Sequence, residues 1–179
     1  MNPSTPNKQL LLDELRKQIY PHLERYKIIF VDDEPITVKH FEKIFAKTMP
    51  SQIVAFSEAS EALEYIKKKP AECALILADE HMPKMPGHQF LELCRAIAPK
   101  SFRMITSVLS IGHVNYGVET IHMPVVVKPW NVNHLNRFLI CGLEYFILRN
   151  DKIMQSYSNR LKHYQFQHWV DNLMTEFDP

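Results

Sequence analysis

Charge of a single sign is missing from this 179-residue sequence: 21 lysines and arginines stand against 20 aspartates and glutamates, for a formal net charge of +1. No global field therefore draws the chain to nucleic acid or to an anionic membrane, and no substantial basic patch argues for direct nucleic-acid binding. The expected partner is a protein or a small molecule. Cysteine is nearly missing too. Cys73, Cys94 and Cys141 are odd in number, far apart and set among apolar neighbours, which suits free thiols in a reducing compartment rather than a disulfide frame. The expected location is cytoplasmic. A bilayer-spanning run is also lacking, because FLICGLEYFIL, residues 138–148, is too short and contains Glu144. The start, MNPSTPNKQLLLDELRK, has no basic segment followed by a long apolar one, as a secretory leader would. There is no internal repeat and no low-complexity segment.

What is present is enough apolar material, 46% of residues, to bury one sizeable core with a helical extension left over. Leu11, Leu12, Leu15 and Ile19 have helical spacing and Pro21 interrupts it, so an amphipathic helix is expected ahead of the core. Brief apolar runs then alternate with helical ones. KIIFV (27–31), QIVAF (52–56), CALILA (73–78), FRMI (102–105) and PVVV (124–127) read as strands buried on both faces. Between them ITVKHFEKIFAKTM, SEASEALEYIKKK, GHQFLELCRAIA and, less regularly, SIGHVNYGVETIH carry apolar residues near a period of 3.6. This alternation predicts an α/β fold, a parallel sheet with helices on both faces.

The polar residues fall at the strand ends. Asp32 and Asp33 follow the first strand, Asp79 the third, Thr106 the fourth and Lys128 the fifth, while the second contributes nothing comparable. In open parallel sheets the ligand site lies beyond the carboxyl ends of the strands. With a strand order of 2-1-3-4-5, strands one and three are neighbours and their acids meet. Taken singly, each residue has a plainer explanation. Asp33, Glu34 and Pro35 make a good helix start, Asp79 suits a turn, Thr106 alone is uninformative, and a lysine before proline is ordinarily solvated. A merely solvated rim would rarely supply all of them in this order.

Three clustered carboxylates repel one another and call for a cation, and an all-oxygen site favours magnesium over zinc. With Lys128 neutralising phosphoryl oxygens and the Thr106 hydroxyl donating to one, a carboxylate could act as the nucleophile in phosphoryl transfer. Asp79, being central, is the candidate.

VDDEP after the first strand, ADEHMPKMPG around the third, ITS after the fourth and VKPW after the fifth together resemble a response-regulator receiver domain of the CheY-like kind, over about residues 27–140. The resemblance implies a flavodoxin-like, doubly wound (βα)5 sheet. It implies that Asp79 accepts a phosphoryl group from a sensor histidine kinase, a phosphotransfer protein or a small donor such as acetyl phosphate. Mg2+ would be held by Asp32, Asp33, Asp79 and the backbone carbonyl of His81, with Lys128, on a cis bond to Pro129, and Thr106 meeting the phosphoryl group. Relatives usually carry an aromatic residue at the position of Val125, so the rotamer switch it serves is not expected here. His81 and Val108 occupy positions that tune phosphoryl lifetime in the family. VKPW is similar to receivers of hydrogenase-type regulators and HD-GYP phosphodiesterases, although no helix-turn-helix, HD-GYP or other effector motif follows. The chain therefore reads as a stand-alone regulator or a receiver fragment.

Three segments result: an N-terminal helix (1–26), the receiver core (27–134) and an extended helix (135–179). Leu139, Leu143, Phe146, Asn150, Ile153 and Tyr157 alternate four and three residues apart, the spacing of a coiled-coil seam. A homodimer is the expectation, packing of this helix on its own sheet the plainer alternative. Two other function classes share the fold. An aspartate-based phosphohydrolase would need D-x-D, where His81 replaces the second acid, and a phosphorylation-independent interaction module would ignore the acids. The nine histidines form no convincing metal pattern. As a receiver, the protein would catalyse at most its own phosphorylation and dephosphorylation.

Overall fold

A computed structural model describes residue 17 and residues 20–49, 52–108 and 124–150. β1 (Lys27–Val31), β2 (Ile53–Phe56), β3 (Cys73–Asp79), β4 (Phe102–Ser107) and β5 (Val125–Val127) form one sheet in the order β2-β1-β3-β4-β5, with every neighbouring pair parallel. The strands keep within two residues of the runs read from sequence, since apolar runs this short can be buried on both faces only as strands. The described helices are α1 (Pro35–Phe45), α2 (Ala59–Lys68), α3 (Gly87–Ile97) and α4 (Val132–Asn150). This is the expected doubly wound, flavodoxin-like order.

Side chains alternate across the sheet with the strand period of two. Ile28, Phe30, Leu75, Leu77, Met104 and Val126 point into one core, which α1 closes with Val38, Phe41 and Phe45. The helix α4 closes the rest of it with Leu135, Phe138, Leu139, Leu143, Phe146 and Ile147. Ile29, Val31, Ile76, Ala78 and Ile105 point the other way, against Ala62 and Ile66 of α2 and Phe90, Leu91 and Cys94 of α3. Every residue of β3 is buried, as befits the central strand. At Gly142 a Cβ would lie 2.8 Å from Leu75 Cδ2, so glycine lets α4 approach the middle of β3.

The packing of α4 corrects the seam reading. Leu139, Leu143 and Phe146 are 0%, 1% and 3% exposed and sit in the core of their own chain. A helix laid on a sheet and a helix in a coiled coil use the same three-four spacing, and at these positions the sheet has taken it. Asn150 is half-buried and donates from Nδ2 to the Phe146 carbonyl at 3.0 Å. Ile153 and Tyr157 lie outside the described residues, as do the segment 110–122 and all but residue 17 of the 7–19 helix. Residues 20–23 are helical, Pro21 among them. Among the described residues no helix is long and apolar enough to cross a membrane.

Candidate functional site

The strand register gathers the polar residues at one end of the sheet. Val31 pairs with Ala78 and Asp79 with Thr106, so Asp32 and Asp79 leave adjacent strands side by side. Lys128 follows β5 on a cis bond to Pro129. Its Nζ donates to Asp32 Oδ2 at 2.7 Å and to Asp79 Oδ1 at 2.6 Å. The remaining carboxylate oxygens are held by backbone: Asp32 Oδ1 accepts the Glu34 N–H at 3.0 Å and Asp79 Oδ2 the His81 N–H at 2.7 Å. Both acids are buried, at 1% and 7% exposure.

Burial dominates the electrostatics. Desolvation raises the Asp32 carboxyl above its ordinary value, outweighing hydrogen bonds from Lys128 and the Glu34 amide. Desolvation also pulls on Lys128, in the opposite sense for a cation, but its bonds to Asp32 and Asp79 win and hold the ammonium above its ordinary value. Lys128 therefore stays charged at neutral pH. Two buried carboxylates share this one ammonium, and the cluster can accept further positive charge.

Asp33 stands beside them, half-buried. The cap position of α1 is Glu34 and no side chain caps the helix, so the plain reading of Asp33 as a capping residue does not apply. Thr106 is 0% exposed and its Oγ1 has no hydrogen-bond partner among the described residues. A buried hydroxyl left unpaired is costly, and this one lies on the residue paired with Asp79. His81 and Val108 are exposed, Val108 at 66%.

The donor types suit magnesium: carboxylate oxygens of Asp32, Asp33 and Asp79, with the His81 carbonyl nearby in sequence. No three Asp, Glu, His or Cys side chains among the described residues are gathered closely enough to hold a metal as they stand. Lys128 fills the space between Asp32 and Asp79. By chemistry these oxygen donors fit the ion.

Glu80, His88 and Trp130, which sequence reasoning did not assign, complete the setting. Glu80 is 8% exposed. Its N–H donates to the Thr106 carbonyl at 2.9 Å and its carbonyl accepts from the Gly87 N–H at 3.1 Å. Its carboxylate accepts the His88 N–H at 3.1 Å and pairs with His88 Nδ1 at 2.6 Å. Glu80 thus ties the loop after Asp79 to the start of α3. Gly87 is required there, since a Cβ would collide with the Asp79 carbonyl. Trp130 packs edge-on against Phe30 and Phe41, with ring centroids 5.6 and 5.5 Å away. The acid Glu80 follows a strand and His88 opens the next helix, so no single period relates them and only the fold reveals their pairing.

A family model, the response regulator receiver domain, matches residues 28–139. The transcriptional regulatory protein NatR of Bacillus subtilis (strain 168) is 29% identical over 113 residues, which cover 61% of this chain and 46% of that protein. The chain therefore spans less than half the length of that curated relative. Among solved structures, the signal receiver domain of an HD domain-containing protein from Pseudomonas fluorescens Pf-5 superposes with a TM-score of 0.59 at 19% identity, covering 68% of this chain and 97% of that one. The chemotaxis protein CheY4 of Vibrio cholerae gives 0.55 at 20% identity, covering 64% and 96%. At such identities these two structures share the fold.

Proposed function

The chain belongs to the response-regulator receiver family, and from that premise we propose that it acts as a two-component response regulator in which Asp79 accepts the phosphoryl group. The observation that carries this reading is the bridge from Lys128 to Asp32 and Asp79 at 2.7 and 2.6 Å, with the unpaired Thr106 hydroxyl beside it. The receiver family implies a phosphodonor partner such as a histidine kinase.

An Asp79 oxygen attacks phosphorus in line with the leaving nitrogen of a phosphohistidine. The new P–O bond forms as the P–N bond breaks, and the departing imidazole keeps the electron pair and takes a proton from solvent. This chain has little covalent work beyond supplying that oxygen, so its contribution is position and charge. Lys128 gives up its bond to Asp79 Oδ1 and meets a phosphoryl oxygen, and its raised affinity for its proton keeps it cationic throughout. Thr106 Oγ1 donates to a second phosphoryl oxygen and gains the partner it lacks. The His81 N–H holds Asp79 Oδ2 and so fixes which oxygen is presented. Receiver domains generally bind Mg2+ at this site, where the ion shields carboxylate and phosphoryl charge; here Asp32, Asp33, Asp79 and the His81 carbonyl would hold it. His81 and Val108, both exposed, would set how readily water reaches the phosphoryl group.

Intact mass after incubation with acetyl phosphate and Mg2+ tests the proposal. Wild type should gain one phosphoryl group and Asp79→Asn none. Equal gain in both proteins would move the acceptor elsewhere.

A further inference from the structure

Resting on the reading of Lys128 as the phosphoryl-binding cation, we propose that Trp130 is a positioning residue that holds the Lys128 ammonium in register with Asp32 and Asp79. The Nζ of Lys128 lies over the Trp130 ring, 5.8 Å from its centroid, inside the range of about 6 Å over which an aromatic face attracts a cation. The lysine side chain is only 17% exposed, so water screens this attraction weakly.

The indole is held in turn by residues of the two elements that flank the acid loop. Phe30 precedes Asp32 by two positions on β1, and Phe41 belongs to the helix that follows Asp33. The two rings stack on each other at 4.0 Å, and both meet Trp130 edge-on. The loop that carries the acids and the loop that carries the lysine are thereby tied through three rings. Trp130 Nε1 is buried and has no hydrogen-bond partner among the described residues, although a buried indole usually finds an acceptor. Its recorded ring contacts are with Phe30 and Phe41. An apolar side chain would fill the space without orphaning a donor, so simple packing does not account for tryptophan here, whereas the face it offers Lys128 does.

The arrangement matters at the moment of transfer. Lys128 must exchange a carboxylate oxygen for a phosphoryl oxygen, and its anionic partners change as it does so. Like Asp32, the ring is a neighbour whose attraction does not depend on that exchange. It keeps the ammonium in place while the bonds are replaced.

The test uses the full chain and time courses of phosphoryl uptake from acetyl phosphate with Mg2+, read by intact mass. Trp130→Leu should slow uptake about threefold to tenfold, and Trp130→Phe, which keeps an aromatic face, should recover most of the rate. In a Lys128→Met background Trp130→Leu should change nothing further, because coupled residues are not additive. Equal slowing by Leu and Phe, no slowing by Leu, or the same factor with Lys128 removed would each overturn the proposal. Should Trp130→Leu fail to fold, Trp130→Met takes its place. The contact is also read without any phosphodonor. In a Trp169→Phe chain, Trp130 emission should shift on Lys128→Met and not on Lys100→Met, and an unchanged spectrum would overturn the positioning contact. A shifted spectrum in a chain whose Asp79 takes up no phosphoryl group would contradict the phosphoacceptor reading instead, and the role of Trp130 in transfer with it.

Discussion

The two faces of the sheet are built from different materials. The face covered by α1 and α4 is aromatic, with Tyr26, Phe30, Phe41, Phe45, Phe138 and Phe146 buried and Trp130 against them. The face covered by α2 and α3 is largely aliphatic, and among the described residues its one fully buried ring is Phe90, set among isoleucines, alanines and two cysteines. The difference concerns how each face supports the site. The aromatic face reaches Lys128 through side chains, by way of Trp130, Phe30 and Phe41. The aliphatic face reaches Asp79 through backbone, by way of the Gly87 contact and the Glu80 hydrogen bonds. Rings transmit position through broad contacts, whereas a backbone contact tolerates no added atom.

The largest effect is expected where the aliphatic side touches the site. Gly87→Ala should cost about 1 to 3 kcal/mol in urea unfolding through overpacking and slow phosphoryl uptake about 100-fold, the usual penalty for a reacting group displaced by about 1 Å. Near-wild-type uptake would show that the loop can give way without moving Asp79. A closer comparison pairs one ring from each face. Phe41→Leu and Phe90→Leu should each lose about 1 to 1.5 kcal/mol, but only Phe41→Leu should also slow uptake, by about threefold. Equal slowing would erase the distinction between the faces.

The smallest effect concerns the thiols of the aliphatic face. Burial pushes Cys73 up to about 11 and Cys94 up to about 12, from an ordinary value of 9.0. The folded state thus keeps these protons when the unfolded chain has lost them, so their contribution to stability is intact below pH 9.0 and declines as pH rises toward 11 and 12. Urea unfolding between pH 8 and 10.5 should therefore show a steeper loss for wild type than for Cys94→Ala. Native protein at neutral pH should resist alkylation at Cys73 and Cys94. Alkylation of either thiol in the folded chain would mean that the aliphatic core opens.

Much of the architecture was legible in the sequence because strands buried on both faces must be short and apolar, and because a parallel sheet exposes functional groups at one edge. Those two constraints set Asp32, Asp79, Thr106 and Lys128 at one edge of the sheet, and the strand order of the structure makes Asp32 and Asp79 neighbours. Period-based reasoning failed where one spacing has two physical causes. Leu139, Leu143 and Phe146 suit a dimer seam and a sheet equally, and only their burial decides. It was silent where a contact crosses loops without a period, as between Glu80 and His88. The part played by Trp130 was hidden for the same reason: its neighbours come from β1 and α1, about 90 to 100 positions away.

The central claim is that phosphoryl transfer ends on one carboxylate, Asp79. Borohydride reduction of the phosphorylated chain converts an acyl phosphate to homoserine, and peptide mass mapping then locates it. The modification should fall on residue 79 alone, in the peptide carrying ADEHMPKMPG. Homoserine at Asp32 or Asp33, or phosphate retained on a histidine, would contradict it.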